Sequence, residues 1–434
     1  MNTHHKHTFA NGLELLTIPM PGVQSVTVMV LVGAGSRYET KKINGLAHFL
    51  EHMTFKGSKK RPSALAISSE IDGIGGEFNA FTGKDHTGFY IKASATHLPL
   101  LIDVLSDMIL NPILKAEEIE REKGVIIEEI NMYEDTPMRH ISDIYEELMY
   151  GDTPLGWDTA GKREVIRATK RGDFVNYMAG LYRPNNAIMV VAGGIESSKS
   201  GVRSSKIEEL VGKSLQDWQK HEVWQWQKQS DKQAKPAVKV KFKNTEQAHL
   251  SLGVRAYPMG HPQRYALNVL SAILGGGMSS RLFIEVRERR GLAYYVRSDT
   301  SQYLDVGNFV TQAGVDVKRI NEAIKVIKDQ YLGLADGHFA VTEKELDKAK
   351  EYIKGRLTLD LEDSREVAGF YGTQQILKRK IRTPDEVMSK TDVVTVAEVH
   401  EVAKEIFVEK HLNLAVIGPY KEDKRFSKLL SESY

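Results

Sequence analysis

The chain has 434 residues, of which 41% are hydrophobic and 27% are charged, so it is a globular protein long enough for two or three domains. Its net charge of +2 indicates neither a nucleic-acid partner nor an acidic substrate, and the absence of cysteine leaves only histidine and carboxylate ligands for any zinc site. Because the sequence has no apolar run of about 18 residues and no signal-peptide core, we expect a cytoplasmic protein without a membrane span.

The first predicted elements are two β-strands. Apolar residues alternate over 9–19, with a turn at Asn11-Gly12 near the start, and again over 25–32. A short loop at 33–36 contains two glycines and ends this strand region. The chain then enters the segment that contains the strongest functional signal.

The stretch from Asn44 to Gly57 is predicted to be a helix, with Asn44 as its N-cap and Gly57 as its stop. Residues three and four apart share one face of a helix, so His48, Glu51 and His52 stand together. Two imidazoles at this spacing can bind one zinc ion, and the carboxylate between them can act as a general base toward a water molecule on the metal. The alternative is a solvated polar face that happens to contain two histidines.

A second helix is predicted over 62–73, and a strand-like segment follows from Glu77 to Ala93 with a turn at 83–85. One interpretation of this segment is a plain hairpin. The other is an edge strand to which an extended peptide adds through backbone hydrogen bonds. The residues alone leave both interpretations open.

Two helices follow, over 96–110 and from about Lys115 to Tyr133. The apolar stripe of the second contains Ile119, Ile126, Ile130 and Tyr133. Glu122 and Glu129 lie seven residues apart at the edge of this stripe, whereas Glu128 points to the far side. A carboxylate that binds a buried metal should lie beside the core stripe, so Glu129 is the predicted third ligand and Glu122 its partner. The alternative is a solvated acidic helix.

The rest of the first half is predicted to contain helices over 140–150 and 161–181 and a buried strand over 187–193. Residues 219–236 are predicted to be a linker, and their tryptophans indicate that it lies against the surface. The predicted domains are therefore 1–218 and 237–434, joined by this linker.

The second half repeats the first at an offset of about 220–230 residues, as expected of a duplicated domain. The strand and its flanking residues at 181–193, for example, are echoed at 406–418. The matching helix of the second copy, around 263–274, has no His-x-x-Glu-His, so the chemistry is predicted to lie in the first half only.

The second half has its own landmark, three glycines at 275–277 followed by Arg287 and Tyr294. The glycines can form a helix-ending loop or a flexible lid, and they lack the Gly-Lys-Ser/Thr of a phosphate loop. Arg287 and Tyr294 can be ordinary surface residues. Arginine can also hold a peptide carbonyl, and tyrosine can hydrogen-bond an oxyanion.

Together these motifs resemble those of the pitrilysin/insulinase-like zinc peptidases (inverzincins), and within them the mitochondrial processing peptidase-like subfamily. The residues that match the zinc signature are His48, Glu51, His52 and Glu129, with Glu122 as the intermediate acidic residue. The residues that match Gly-x-x-Asn-Ala-x-Thr are Gly76, Asn79, Ala80 and Thr82, and the Arg–Tyr pair is Arg287 and Tyr294. The resemblance covers nearly the whole chain.

The resemblance implies an α+β fold with two homologous domains, each an antiparallel sheet of about six strands flanked by helices, as the halves of a clamshell. It implies a zinc-dependent endopeptidase that binds one Zn²⁺ per chain and holds its peptide substrate as an added strand in a closed chamber. The implied ligands are His48, His52 and Glu129, with Glu51 as the base and Glu122 orienting a ligand histidine. The residues implied to contact the substrate are Asn79, Ala80, Phe81, Arg287 and Tyr294.

The family resemblance also implies a partner chain, because its working chamber has four such domains and this chain supplies two. One chain contains both the zinc motif and the Arg–Tyr pair, which favours a homodimer. A heterodimer with a glycine-loop partner is the alternative assembly. The alternative function is a non-catalytic core or scaffold subunit, although such subunits usually lack a ligand or the base and this chain has all of them.

Overall fold

The structure, a computed structural model, describes residues 4–195, 203–230 and 233–432, and the strands of this part of the chain form two sheets. The first sheet contains β1 (His5–Thr8), β2 (Glu14–Pro19), β3 (Ser25–Val32), β4 (Glu77–Thr82), β5 (Thr87–Ser94) and β6 (Ala187–Gly193). The second contains β7 (Ala237–Phe242), β8 (Gln247–Ala256), β9 (Ala293–Gln302), β10 (Gly307–Asp316) and β11 (Asn413–Gly418).

The two sheets have the same topology. Their strand orders are β1-β2-β6-β3-β5-β4 and β7-β11-β8-β10-β9, which coincide once β1 is set aside. The α+β class and the duplication are therefore confirmed, with six and five strands. Each sheet also contains one parallel pair, β2 with β6 and β7 with β11, among otherwise antiparallel neighbours. These pairs can run parallel because their strands are far apart in the sequence and no hairpin joins them.

The helices flank these sheets. The helices that precede β7 are α1 (Leu46–Thr54), α2 (Ala64–Asp72), α3 (Leu98–Leu110), α4 (Ala116–Glu134), α5 (Pro137–Tyr150), α6 (Arg163–Ala168), α7 (Arg171–Leu181) and α8 (Ser204–Leu215). The others are α9 (Arg264–Gly275), α10 (Ile320–Ala335), α11 (Glu343–Asp360), α12 (Ser364–Lys378), α13 (Pro384–Asp392), α14 (Val396–Ile406) and α15 (Lys424–Ser431). Within the described ranges, none is both long and apolar enough to cross a membrane.

Both faces of each sheet are covered, which explains the nearly continuous apolar sequence of the central strands. In β3, Val28 and Val30 belong to the core on one face, whereas Met29 and Leu31 belong to the cluster on the other. The second sheet is likewise packed between a large core and a smaller cluster. Alternation of apolar and polar residues is weak in these strands because neither face of the sheet is exposed to water.

The chain forms two compact units, and each takes one covering helix from the opposite half of the sequence. The first contains residues up to Ile130, Asp158–Gln227 and Thr358–Asp385, and the second contains the remaining described residues. Helix α12 packs on β3 and β6 in the first unit, and α5 packs on β8 and β11 in the second. The units are thus discontinuous, unlike the sequential domains 1–218 and 237–434, because the repeats exchange these two helices.

The start of the proposed linker is fixed to the first unit by tryptophans. Trp218 is buried, and the ring of Trp224 lies so close to Gly180 that a Cβ there would come within 2.2 Å of it. The guanidinium of Arg37 lies 3.9 Å from the ring centroid of Trp226. For this part of the linker, the prediction that it lies against the surface is confirmed.

Candidate metal centre

The histidines lie on α1, and a buried carboxylate holds the start of this helix. Glu39 accepts hydrogen bonds from the backbone N–H groups of Gly45 at 2.8 Å and Ala47 at 2.7 Å, and from the Asn44 side chain at 3.1 Å. Burial raises the pKa of Glu39 to about 8, although these three donors lower it. Asn44 is therefore not the N-cap, and α1 ends at Thr54, before Gly57. The predicted start was wrong because the Glu39 side chain caps the first turn. The predicted stop lies three residues beyond the last helical residue, Thr54.

Position 45, immediately before α1, requires glycine for two reasons. Its φ of 94° is left-handed, and a Cβ would lie 2.6 Å from the Ala160 carbonyl oxygen. We expect Gly45→Ala to destabilise the fold by about 1–3 kcal/mol from backbone strain alone, and to lower the thermal midpoint measured by calorimetry. Gly172→Ala is the matched control, since Gly172 lies in helix α7 with open space around it. An unchanged midpoint in Gly45→Ala would contradict this account of the helix start.

Three partly buried side chains converge on one face of α1. Glu129, on α4, places Oε2 3.6 Å from His48 Nε2 and 3.4 Å from His52 Nε2. A tetrahedral zinc site with bonds of ~2.0–2.1 Å separates its ligand atoms by about 3.4 Å, so this donor set fits one zinc ion. Within residues 4–195, 203–230 and 233–432, no other group of three or more histidine and carboxylate residues brings its ligand atoms within 4.8 Å of one another.

A second carboxylate on α4 fixes the orientation of His52. The Nδ1 atom of His52 lies 2.9 Å from Glu122 Oε1, and Lys56 Nζ lies 2.6 Å from the other oxygen of Glu122. Burial acts to raise the pKa of Glu122, but His52 and Lys56 outweigh it and hold this pKa below its ordinary value. The ionised Glu122 therefore keeps a proton on His52 Nδ1, which leaves Nε2 directed toward Glu129.

The two histidines differ in their proton affinity. Burial and the neighbouring His52 together lower the pKa of His48 to about 4, against the opposing effect of Glu129, so His48 is neutral at pH 7. Burial also acts to lower the pKa of His52, but hydrogen bonds to Glu122 and Glu129 raise it to about 9. The Nδ1 atom of His48 is buried and has no hydrogen-bond partner in the described part of the chain. A metal ligand must be a neutral imidazole, a state that His48 already has.

Glu51 lies beside this group, one turn from His48 on the same helix. Its Oε2 accepts a hydrogen bond from the hydroxyl of Thr82, with the oxygen atoms 2.5 Å apart. Burial raises the pKa of Glu51 above its ordinary value, against the opposing effect of that hydrogen bond. Glu128, by contrast, is exposed and lies outside the group. The arrangement therefore combines three potential ligands with one adjacent carboxylate.

Thr82 belongs to β4, which is the last strand of the first sheet and, in the described part of the chain, pairs only with β5. The segment is thus a hairpin whose first strand lies at the edge of the sheet. The addition of an extended peptide to this strand stays a prediction. Asn79 Oδ1 accepts from the backbone N–H of Ala80 at 2.8 Å, and the side chain of Phe81 is exposed. The outer edge of β4 can accept an added strand through its backbone groups.

The second unit contains the remaining predicted site residues. Arg287 lies with its guanidinium 4.8 Å from the ring centroid of Phe283 and 5.8 Å from that of Tyr294, and Tyr294 is largely exposed. Helix α9 ends at Gly275 with Gly276 as its C-cap, which favours the helix-ending loop over a lid for these glycines. Helix α9 follows β8 as α1 follows β3, but it contains neither histidine nor glutamate.

Comparison with known proteins points to one protein family along most of the chain. The sequence profile described as "Insulinase (Peptidase family M16)" matches residues 15–163, and the profile "Peptidase M16 inactive domain" matches residues 169–353. A relative from Streptomyces coelicolor called "Uncharacterized zinc protease" is 35% identical over 99% of this chain and 92% of its own. A Bacillus subtilis protein described in the same words is 36% identical over 95% of this chain and 98% of its own.

Solved structures show the same fold. A protease from Helicobacter pylori superposes with a TM-score of 0.88 at 25% identity, covering 96% of this chain and 100% of that one. A peptidase M16 inactive domain from Pseudomonas fluorescens gives 0.87 at 19% identity, covering 96% and 99%, and supports the fold alone. With a 35% identical relative aligned over almost its full length, this chain belongs to peptidase family M16, the insulinase family.

Proposed function

We propose that the protein is a zinc-dependent endopeptidase that hydrolyses oligopeptides or unfolded peptides. The observation that carries the proposal is the convergence of ligand atoms from His48, His52 and Glu129 within 4.8 Å of one another, with Glu51 beside them. The relatives are called zinc proteases, which supports the same metal and reaction class. The mitochondrial processing peptidase-like subfamily, a homodimer, a closed chamber and a cytoplasmic location stay predictions.

The three ligands would hold one Zn²⁺ per chain. Three protein ligands leave a coordination position open, as catalytic rather than structural zinc sites do. When bound, zinc would polarise the scissile carbonyl and lower the pKa of the attacking water. Glu122 would fix the tautomer and ring orientation of His52 through Nδ1, so that Nε2 keeps its lone pair for the metal.

Glu51 would move the proton. As general base it accepts a proton from the attacking water, and as general acid it passes that proton to the leaving amine when the peptide bond breaks. Burial raises the pKa of Glu51, which makes its carboxylate a better proton acceptor than an exposed glutamate. Both proton transfers take place at the reacting peptide bond. Glu51 must therefore lie next to the proposed ligands, as it does on α1.

The peptide would add to the outer edge of β4, the edge that no strand of the described residues covers. An extended chain that pairs there gains backbone hydrogen bonds whatever its sequence, which suits unfolded or short substrates. Asn79, Ala80 and Phe81 are the proposed contacts on this strand. Arg287 and Tyr294 are proposed as further substrate contacts because they match the family motif.

A chelator experiment tests the proposal. Purified protein is incubated with a mixture of quenched fluorescent peptides, then with 1,10-phenanthroline, then with added zinc. We expect hydrolysis that stops with the chelator and returns with zinc. Bound zinc without hydrolysis of any peptide would favour the non-catalytic subunit, and activity only after addition of a second chain would favour the heterodimer. Size-exclusion chromatography of the same sample reports the assembly.

Glu122→Gln should weaken zinc binding by about 10–100-fold, the usual cost of losing a hydrogen-bond partner of a ligand histidine. The amide would leave Lys56 without its charged partner and would no longer favour the required tautomer of His52. Competition with a chromophoric chelator measures the zinc dissociation constant. Glu120→Gln is the control, because Glu120 is exposed on the same helix and pairs with Lys123. An unchanged constant in Glu122→Gln would argue against its orienting role.

A further inference from the structure

The side chains of β4 alternate between two environments. Its burial pattern leaves Glu77, Asn79 and Phe81 exposed, whereas the residues between them are partly buried. Phe78, on the partly buried face, lies with its ring centroid 5.7 Å from that of Phe55, the residue that follows α1. Thr82 is on the same face and reaches Glu51. One face of the edge strand thus packs on the helix that contains the histidines.

The backbone around Thr82 is firmly held. Thr82 pairs with Thr87 across the hairpin, and Thr87 is fully buried with its hydroxyl donating to the Ala34 carbonyl at 2.7 Å. In the turn that follows, the Gly83 carbonyl accepts from the backbone N–H of Ser36 at 3.1 Å. Threonine is β-branched and has few side-chain conformations. The hydroxyl of Thr82 is therefore a donor at a fixed position.

The bond from Thr82 uses one carboxylate oxygen, Oε2, of Glu51. A carboxylate held by one oxygen cannot rotate freely, so its second oxygen keeps a defined direction. Catalytic groups need this precision, since a misplacement of about 1 Å can cost 100-fold in rate. Glu51 has several rotatable bonds and would otherwise sample several orientations.

We propose that Thr82 is a positioning residue that orients Glu51 for proton transfer and ties this base to the strand that receives the peptide. A shift of β4 by one residue would move Thr82 to the other face and remove the donor from Glu51. Glu51 is therefore oriented for proton transfer only when β4 pairs with β5 in the observed register. This inference rests on the proposed endopeptidase function, in which Glu51 is the base.

Two variants of Thr82 separate the hydroxyl from the shape of the side chain. Thr82→Val keeps the shape and removes the donor, and we expect kcat to fall about 10–100-fold with KM nearly unchanged. Thr82→Ser keeps the donor and should retain kcat within about threefold of the wild type, because a hydroxyl can still reach the carboxylate. Zinc content and thermal midpoint should be the same in both variants. Wild-type kcat in Thr82→Val would overturn the proposal, as would an equal loss in both variants accompanied by loss of zinc.

Crystal structures of the two variants test the orientation without relying on activity. The Glu51 carboxylate should rotate away from its wild-type position in Thr82→Val and stay in place in Thr82→Ser. An unmoved carboxylate in Thr82→Val overturns the positioning role. If the wild type hydrolyses no peptide, the endopeptidase proposal fails, and these structures still decide whether Thr82 orients Glu51.

Discussion

Replacement of Glu51 by glutamine will abolish peptide hydrolysis and leave the bound zinc in place. Glutamine has nearly the same shape, and its amide oxygen can still accept the hydrogen bond from Thr82. It cannot accept a proton from water, and loss of a general base typically lowers the rate by about 10²–10⁴-fold. The zinc should remain, because the proposed ligands are His48, His52 and Glu129. The measurements are kcat on one fluorescent peptide and zinc content by mass spectrometry.

Glu117→Gln is a matched control for this variant, because it makes the same chemical change at an exposed position in the first turn of α4. It should keep both activity and zinc. Undiminished turnover in Glu51→Gln would refute the role of Glu51 as the base. Loss of zinc together with activity would instead place Glu51 among the metal ligands.

The core of the site could be predicted because its information is local. Histidines four residues apart share a helix face whatever the rest of the fold does, and the structure has both on α1. Glu129 was distinguished from Glu128 by its place beside the apolar stripe of α4, and it is Glu129 that approaches the histidines. The duplication could be predicted because equivalent segments recur at a constant offset.

The features that could not be predicted from the sequence depend on contacts that no local sequence pattern indicates. Glu39 caps α1 from six residues before Gly45, outside the spacing of a capping box, so no local pattern indicates it. Thr82 meets Glu51 across 31 positions, and its family motif alone does not say which side chain it touches. Tertiary packing decided both contacts.

The exchange of α5 and α12 was missed for a related reason. Each helix has buried residues along one side, for example Ile141 in α5 and Val367 in α12, and this predicts that it covers a core. An apolar face does not specify which of two similar sheets it covers. Because the two sheets share one strand order, the helices of either repeat can satisfy the same burial requirement.

Replacement of Glu129 by glutamine will remove most of the zinc, whereas Glu128→Gln will leave the zinc content unchanged. The two residues are neighbours on α4, so the variants have the same composition and net charge. Of the two, it is Glu129 that brings an anionic oxygen within 3.4–3.6 Å of the histidine Nε2 atoms. An amide oxygen is a much weaker zinc ligand than a carboxylate, so we expect the dissociation constant to rise by at least about 100-fold, more than for loss of an outer partner such as Glu122.

The comparison of these neighbours is decisive because a general effect of removing negative charge would weaken zinc binding equally in both variants. Zinc titration by calorimetry, with the thermal midpoint measured on the same samples, separates loss of a ligand from loss of the fold. If Glu129→Gln binds zinc as tightly as Glu128→Gln, the third ligand lies elsewhere. The proposed metal centre would then be wrong in its third ligand, and the proposed function would lose the convergence of His48, His52 and Glu129 that carries it.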